Sequence, residues 1–120
     1  MDSLNIVYRS LYSSLTENSA LMSVITGVYD YHPEQYDPGP YITFSNAQIQ
    51  EGRLLDDSER RVLLSIDVWA PGEGRKQLIE IMDLVQAALP AVFLFEDSIV
   101  LFDEDSKWWH GVLEYRIYLR

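Results

Sequence analysis

Residues 62–69 read VLLSIDVW, and this stretch decides the fold. Every second position is apolar (Val62, Leu64, Ile66, Val68), and the positions between are mixed (Leu63, Ser65, Asp67, Trp69). Because successive side chains of a β-strand point to opposite faces of a sheet, the alternation predicts a strand near 62–70 with one strongly apolar face. We expect Ile66 and Val68 to be buried on that face.

A second strand with the same alternation closes the chain at residues 108–119. One side of it carries Trp109, Leu113, Tyr115, Ile117 and Leu119, and the other carries His110, Glu114 and Arg116. Shorter segments predict strands near 41–47 and 98–104, and residues 28–31 are a short strand candidate. Because consecutive strands joined by turns favour antiparallel pairing, we predict an antiparallel sheet of four to five strands.

Two segments have the apolar spacing of amphipathic helices, one near 3–16 and one near 74–89. The second has the clearer stripe, formed by Leu78, Ile81, Met82, Val85 and Leu89 ahead of Pro90. The predicted fold is therefore α+β, with both helices packed on one face of the sheet. The expected core includes Leu11, Leu15, Ile66, Val68, Leu78, Val85, Leu113 and Ile117.

Length and composition fit one domain spanning residues 1–120. The chain has no cysteine, which excludes disulfides and thiolate metal sites. Nineteen acidic against nine basic residues give a formal net charge of -10, so general attraction to nucleic acid is not expected. No signal peptide is indicated, and no apolar stretch approaches the roughly 20 residues of a membrane-spanning helix.

No recognisable catalytic or metal-binding constellation stands out in the sequence. The two histidines, His32 and His110, lie in different elements and lack a second ligand at the spacing of helical zinc sites. Residues 72–76 read GEGRK, which lacks the full glycine pattern of a phosphate-binding loop. We therefore predict a protein that is not an enzyme and that uses no cofactor and no metal.

The face of the sheet opposite the expected core mixes charge with large aromatic side chains. It carries Ser65, Asp67, Trp69, Trp108, Glu114, Arg116 and Tyr118. Such a face is too polar for a second core. It is either solvated or a protein contact surface, and the alternation leaves both interpretations open.

The ordered set of segments resembles a known family. The set comprises Leu11 and Leu15, then GVYD at 27–30, PYIT at 40–43, SIDVW at 65–69, Gly74, a helix with Ile81, Val85, Ala88 and Leu89, and HGVLEYR at 110–116. It resembles the tail-completion proteins, or tail terminators, of long-tailed bacteriophages and prophages. The resemblance covers nearly the whole chain.

This resemblance implies an α+β subunit that assembles into a ring, typically hexameric. Such a ring caps the finished tail tube, stops its polymerisation and joins the tail to the neck of the head. The implied partners are further copies of the chain, the major tail tube protein and a head-neck connector protein, with no membrane. The implied location is the virion tail at the head-tail junction, after synthesis in the host cytoplasm. DNA would pass through the lumen without specific binding, which suits an acidic protein.

The expected contact residues fall into two groups. The first group lies in the charged loop at 51–61 and comprises Leu54, Leu55, Arg53, Arg60 and Arg61. Two adjacent leucines are unusual in a loop that is exposed only to solvent, so we expect this loop to make a contact. The ring implied by the resemblance favours Trp69, Trp108 and Tyr118 as a subunit or tail-tube contact, since aromatic residues are enriched at interfaces.

Two other classes of function stay open from the sequence. The nearer one is a head-closure or neck connector protein of the same kind of virion. The more distant one is a small ligand-binding α+β domain, or an enzyme that uses His110.

Overall fold

The computed structural model of the chain describes residues 3–33, 35–51, 60–72 and 75–119. The helices are α1 (Leu4–Thr16), α2 (Ser19–Met22) and α3 (Lys76–Ala88). The strands are β1 (Gly27–Tyr29), β2 (Tyr41–Glu51), β3 (Arg60–Pro71), β4 (Leu94–Asp103) and β5 (Trp108–Leu119). The predicted α+β class is confirmed, and the last strand has the predicted bounds.

The helices begin and end where local chemistry requires it. Ser3 caps α1, because its Oγ accepts a hydrogen bond of 3.2 Å from the backbone N–H of Ile6. Leu89, directly after α3, has an extended backbone with φ -82° and ψ 140°. The residue before a proline disfavours the helical conformation, so Pro90 ends α3.

The five strands form one sheet in the order β1-β2-β3-β5-β4. Three of the pairings are antiparallel, but β1 and β2 run parallel, so the prediction of a purely antiparallel sheet is wrong. The cause is the connection at 30–40, which contains Pro33, Pro38 and Pro40 and is no tight hairpin. It returns the chain to the end of the sheet where β1 began, so that β2 starts in the same direction.

Two predicted boundaries are also corrected. β4 starts at Leu94 rather than near 98, because a register shift between Phe95 and Asp97 interrupts the alternation that the sequence pattern relied on. Arg60 and Arg61 lie within β3 rather than in a loop, since they pair with Glu51 and Gln50 of β2 and lengthen the hairpin.

The predicted core and strand register are confirmed. Ile66 and Val68 are fully buried, as are the other expected core residues, Leu11, Leu15, Leu78, Val85, Leu113 and Ile117, at no more than 1% exposure. We call the face of the sheet that carries Ile66 and Leu113 the core face, and the opposite one the second face. Tyr8 of α1 contacts Phe44 of this core face, with ring centroids 5.9 Å apart.

Gly111 of β5 lies directly beneath the Met82 side chain of α3. A Cβ atom at this position would lie 2.5 Å from Met82 Sδ, so any larger residue requires the Met82 side chain to shift. We expect Gly111→Val to lower the free energy of unfolding by about 1–3 kcal/mol, the usual cost of overpacking a core. Urea unfolding measures this cost. Adding Met82→Ala should reduce the additional cost of the valine, and strictly additive effects would contradict the proposed clash.

Candidate subunit interface

The outer strand β4 exposes several apolar side chains along a free edge of the sheet. It forms one edge of the sheet and pairs only with β5 among the described strands. Its exposed apolar side chains are Leu94, Phe95, Ile99, Leu101 and Phe102, each 38–51% accessible to solvent. Edge strands of monomeric proteins are usually protected by charge, proline or a covering loop. The stretch at 98–102 reads SIVLF and has neither charge nor proline, so its edge is available for another strand.

The two ends of β4 differ from its middle. Near the start, Glu96 lies at the register shift and forms an ion pair with Arg116 of β5, at a distance of 2.9 Å. From Asp97 onward the pairing with β5 is regular up to Asp103. The regular part of the edge is therefore also its most apolar part.

The opposite edge of the sheet is only partly covered. β1 pairs with Tyr41, Ile42 and Thr43 of β2, and the rest of β2 has no partner on that side among the described strands. Its exposed residues are Ser45, Asn46, Ala47, Gln48 and Ile49. Residues 45–49 of this second free edge are uncharged and mix polar side chains with Ala47 and Ile49. The edge has the same unpaired backbone groups as any edge strand.

At one end of the second face, five rings form an aromatic cluster, which we define as His32, Tyr41, Trp69, Trp108 and His110. Trp69 stacks on His110 with ring centroids 3.7 Å apart and an interplanar angle of 8°. His32 lies 5.2 Å from Trp69, and Tyr41 lies 5.5 Å from Trp108. Segments distant in sequence, the loop after β1 and strands β2, β3 and β5, thus converge on one point.

Polar side chains lie buried near this aromatic cluster. Thr43 and Asp67 are each 4% exposed, and Ser65 is 8% exposed. His110 Nε2 lies 2.6 Å from Asp67 Oδ1, and Trp69 Nε1 donates a 3.1 Å hydrogen bond to Thr43 Oγ1. Asp67 Oδ2 has no hydrogen-bond partner within the described chain. At this end the second face is therefore not simply solvated, because Thr43 and Asp67 are almost inaccessible to solvent.

Asp37 holds the loop that brings His32 to the sheet. Its carboxylate accepts hydrogen bonds from Thr26 Oγ1 at 2.6 Å, Tyr29 Oη at 2.6 Å and the Gly39 N–H at 2.7 Å. Burial raises the pKa of Asp37, but these hydrogen bonds outweigh it and hold the pKa below its ordinary value. The same contact with Asp37 raises the pKa of Tyr29. The loop is thus fixed by an ionised carboxylate.

The predicted contact residues do not form one patch. Trp69 and Trp108 belong to the aromatic cluster, whereas Arg61 and Tyr118 pair at the far end of the second face. At about 3.3 Å per residue, the eight steps along the strand from Arg61 to Trp69 span about 26 Å. Arg60 pairs with Leu119 on the core side of the strand. Arg53, Leu54 and Leu55 lie outside the described residues.

Two features of the site were not predicted from the sequence. The alternation placed Trp69, Trp108 and His110 on the second face, but nothing local indicated that His32 and Tyr41 would join them. The apolar run at 98–102 predicted a strand, but not that this strand would be an edge. Edge position depends on which strands pair, which a single strand's pattern does not reveal.

No helix among the described residues is long and apolar enough to cross a membrane. In the same part of the chain, no group of three or more His, Cys, Asp or Glu side chains could hold a metal ion.

Comparison with known proteins identifies relatives of the chain. A family model described as "Tail completion protein gp17" matches residues 9–120. A chain from the virion of the native gene transfer agent (GTA) particle superimposes with a TM-score of 0.76 at 17% identity, covering 88% of each chain. The gp17 protein of bacteriophage SPP1 superimposes with a TM-score of 0.64 at 21% identity, covering 97% of this chain and 90% of that one. No curated protein matches the chain. At these identities the two structures establish a shared fold.

Proposed function

Because the chain belongs to the tail completion protein gp17 family, we propose that it is the subunit of a ring that ends a phage tail. Membership gives it a structural role in tail completion within a virion or virion-like particle. The ring, in our proposal a hexamer, caps the finished tail tube, stops its polymerisation and joins it to a head-neck connector at the head-tail junction.

The observation that carries the ring is the pair of free sheet edges. In the strand order β2-β3-β5-β4 each neighbour is antiparallel, so β4 runs antiparallel to β2. A rotated copy of the subunit would therefore place its β2 edge antiparallel to the β4 edge of its neighbour. Such a head-to-tail contact repeats identically and closes into a ring when the rotation closes. It would cover Ile99 and Leu101 and pair the free backbone groups of both edges.

The remaining surfaces fit further contacts of such a ring. We propose that α1 and α3 cover the core face, which leaves the second face for neighbouring proteins. The contact residues proposed there are Trp69, Trp108 and Tyr118, with Arg60 and Arg61 at the far end of β3. Arg53, Leu54 and Leu55 are proposed to join the contact from the connection between β2 and β3.

The charge of the chain supports passage of DNA through the ring. A net charge of -10 per subunit gives an assembled ring a strongly negative potential. Phosphates are repelled by such a potential, so DNA moves through the lumen without being held.

The activity itself is tested by stopping a growing tube. Purified tail tube protein of the same particle is polymerised with and without this protein, and tube lengths are measured by negative-stain electron microscopy. We expect tubes to shorten as the protein is added, with a ring at one end of each tube. Unchanged lengths, with the protein bound to purified neck protein instead, would contradict tube capping and favour a head-closure protein. A protein that stays monomeric and binds neither partner would remove the proposal altogether.

A further inference from the structure

A cavity of about 460 Å³ opens at the aromatic end of the second face. Its aromatic lining comes from Tyr36, Tyr41, Trp69 and Trp108, and its carboxylates come from Asp37 and Asp103. This volume lies within the usual range of small-molecule and side-chain sites. The cavity lies beside the stacked rings of Trp69 and His110, so its floor is held by β3 and β5.

Both carboxylates have only neutral hydrogen-bond donors in the described chain. Asp37 accepts from two hydroxyl groups and a backbone N–H, and Asp103 Oδ2 accepts a 2.7 Å hydrogen bond from Ser106 Oγ. That bond is the main cause that holds the pKa of Asp103 below its ordinary value. Both groups are therefore negatively charged at neutral pH. The described lining contains no lysine or arginine, and His32 is its only basic side chain.

We propose that this pocket binds the positively charged head of an arginine or lysine side chain presented by a partner protein. Aromatic faces attract cations, and nearby carboxylates can accept hydrogen bonds from a guanidinium or an ammonium group. The inference is independent of ring formation, because it rests on the lining of a single subunit.

Other occupants fit this lining less well. An apolar anchor such as leucine would bury Asp37 and Asp103 without any compensating charge, which is costly. A stacked nucleic-acid base would bring its phosphates close to the same two carboxylates, which repel them. A basic side chain can both contact the aromatic faces and pair with the two carboxylates.

The probe is N-acetyl-L-argininamide, and the neutral isostere N-acetyl-L-citrullinamide is its matched control. Binding is followed by the indole N–H signals of the ¹⁵N-labelled protein in two-dimensional NMR. The chain has three tryptophans. Trp69 and Trp108 line the pocket, whereas Trp109 contacts Phe102 and Arg75 on the core side. We expect the indole N–H signals of Trp69 and Trp108 to shift, with saturation at millimolar concentrations of the arginine probe. The indole N–H signal of Trp109 should not shift. Equal shifts with the citrulline probe, or no shift, would overturn the proposal.

A single substitution tests the contribution of the Asp103 carboxylate to binding. Asp103→Asn keeps an acceptor for Ser106 but removes the charge, and should weaken the arginine probe about 5- to 10-fold. Asp83→Asn on α3 removes the same charge from an exposed position and should leave the affinity unchanged. Equal weakening by both variants would mean a general charge effect and would overturn the site. If Asp103→Asn does not fold, the comparison of the two probes on the unaltered protein decides.

The same probe separates two sources of the side chain. Size-exclusion chromatography with saturating arginine probe should dissociate the oligomer if the occupant comes from a neighbouring copy. An unchanged elution volume assigns the occupant to a different protein. Either result supports the pocket when the indole signals have shifted.

Discussion

The double substitution Ile99→Lys and Leu101→Lys is expected to convert the proposed ring into monomers. Both residues lie on the same face of β4 and are about half exposed, at 51% and 46%. Completing their burial against a neighbour would contribute about 1.5–3 kcal/mol per contact, and the substitution removes it. It also places two ammonium groups on the edge, which is how natural edge strands prevent pairing. Each contact should weaken by at least about 100-fold.

Sedimentation velocity over a range of concentrations measures this loss. The matched control is the pair Ile6→Lys and Ile79→Lys, which adds the same charge to exposed positions of α1 and α3, at 39% and 45% exposure. The control should sediment as the parent does. Since all four side chains are exposed in the subunit, neither double variant should unfold it. A β4 variant that still sediments as the parent oligomer would show that this edge is not the subunit contact.

The substitution His110→Ala is expected to lower the free energy of unfolding by about 2–3 kcal/mol, because it leaves the buried carboxylate of Asp67 without its hydrogen bond. His110 Nε2 lies 2.6 Å from the carboxylate of Asp67, which is 4% exposed and has no other hydrogen-bond partner in the described residues. Removing the imidazole leaves that carboxylate unpaired and removes the ring stacked on Trp69. Urea unfolding at neutral pH measures the loss.

The other histidine is the control for this prediction. His32 belongs to the same aromatic cluster but is exposed, so His32→Ala should cost less than about 1 kcal/mol. In the double variant Asp67→Ala, His110→Ala, no buried charge is left unpaired. Its loss should therefore be smaller than the sum of the two single losses. Small and equal effects of both histidine substitutions would contradict the buried pair.

The sequence predicted the parts of the fold that depend on one strand or helix at a time. Ile66 and Val68 were placed on the buried face because the period of two is unbroken from 62 to 69. The parallel pair was missed because β1 has only three residues and its partner follows an irregular loop. The early start of β4 was missed because the register shift at Glu96 breaks the alternation.

The candidate sites depend on contacts between segments that are distant in sequence, so the sequence predicted them only in part. The sequence correctly placed Trp69 and Trp108 on one face. The burial of Asp67 near them, however, depends on His110 and on the loop at 30–40 packing at the same place. Likewise, SIVLF at 98–102 could be a buried central strand or an exposed edge. The order of strands decides between these alternatives, and that order follows from pairings between distant segments.

The unprotected edge of β4 also makes the free subunit prone to aggregation. An apolar strand with unpaired backbone groups accepts any complementary strand, including those of misfolded chains and of copies in the wrong register. Colloidal stability must then come from the rest of the molecule, and a net charge of -10 keeps free subunits apart at long range. The acidity of this chain thus protects the subunit before assembly, and salt, which screens it, shortens that protection.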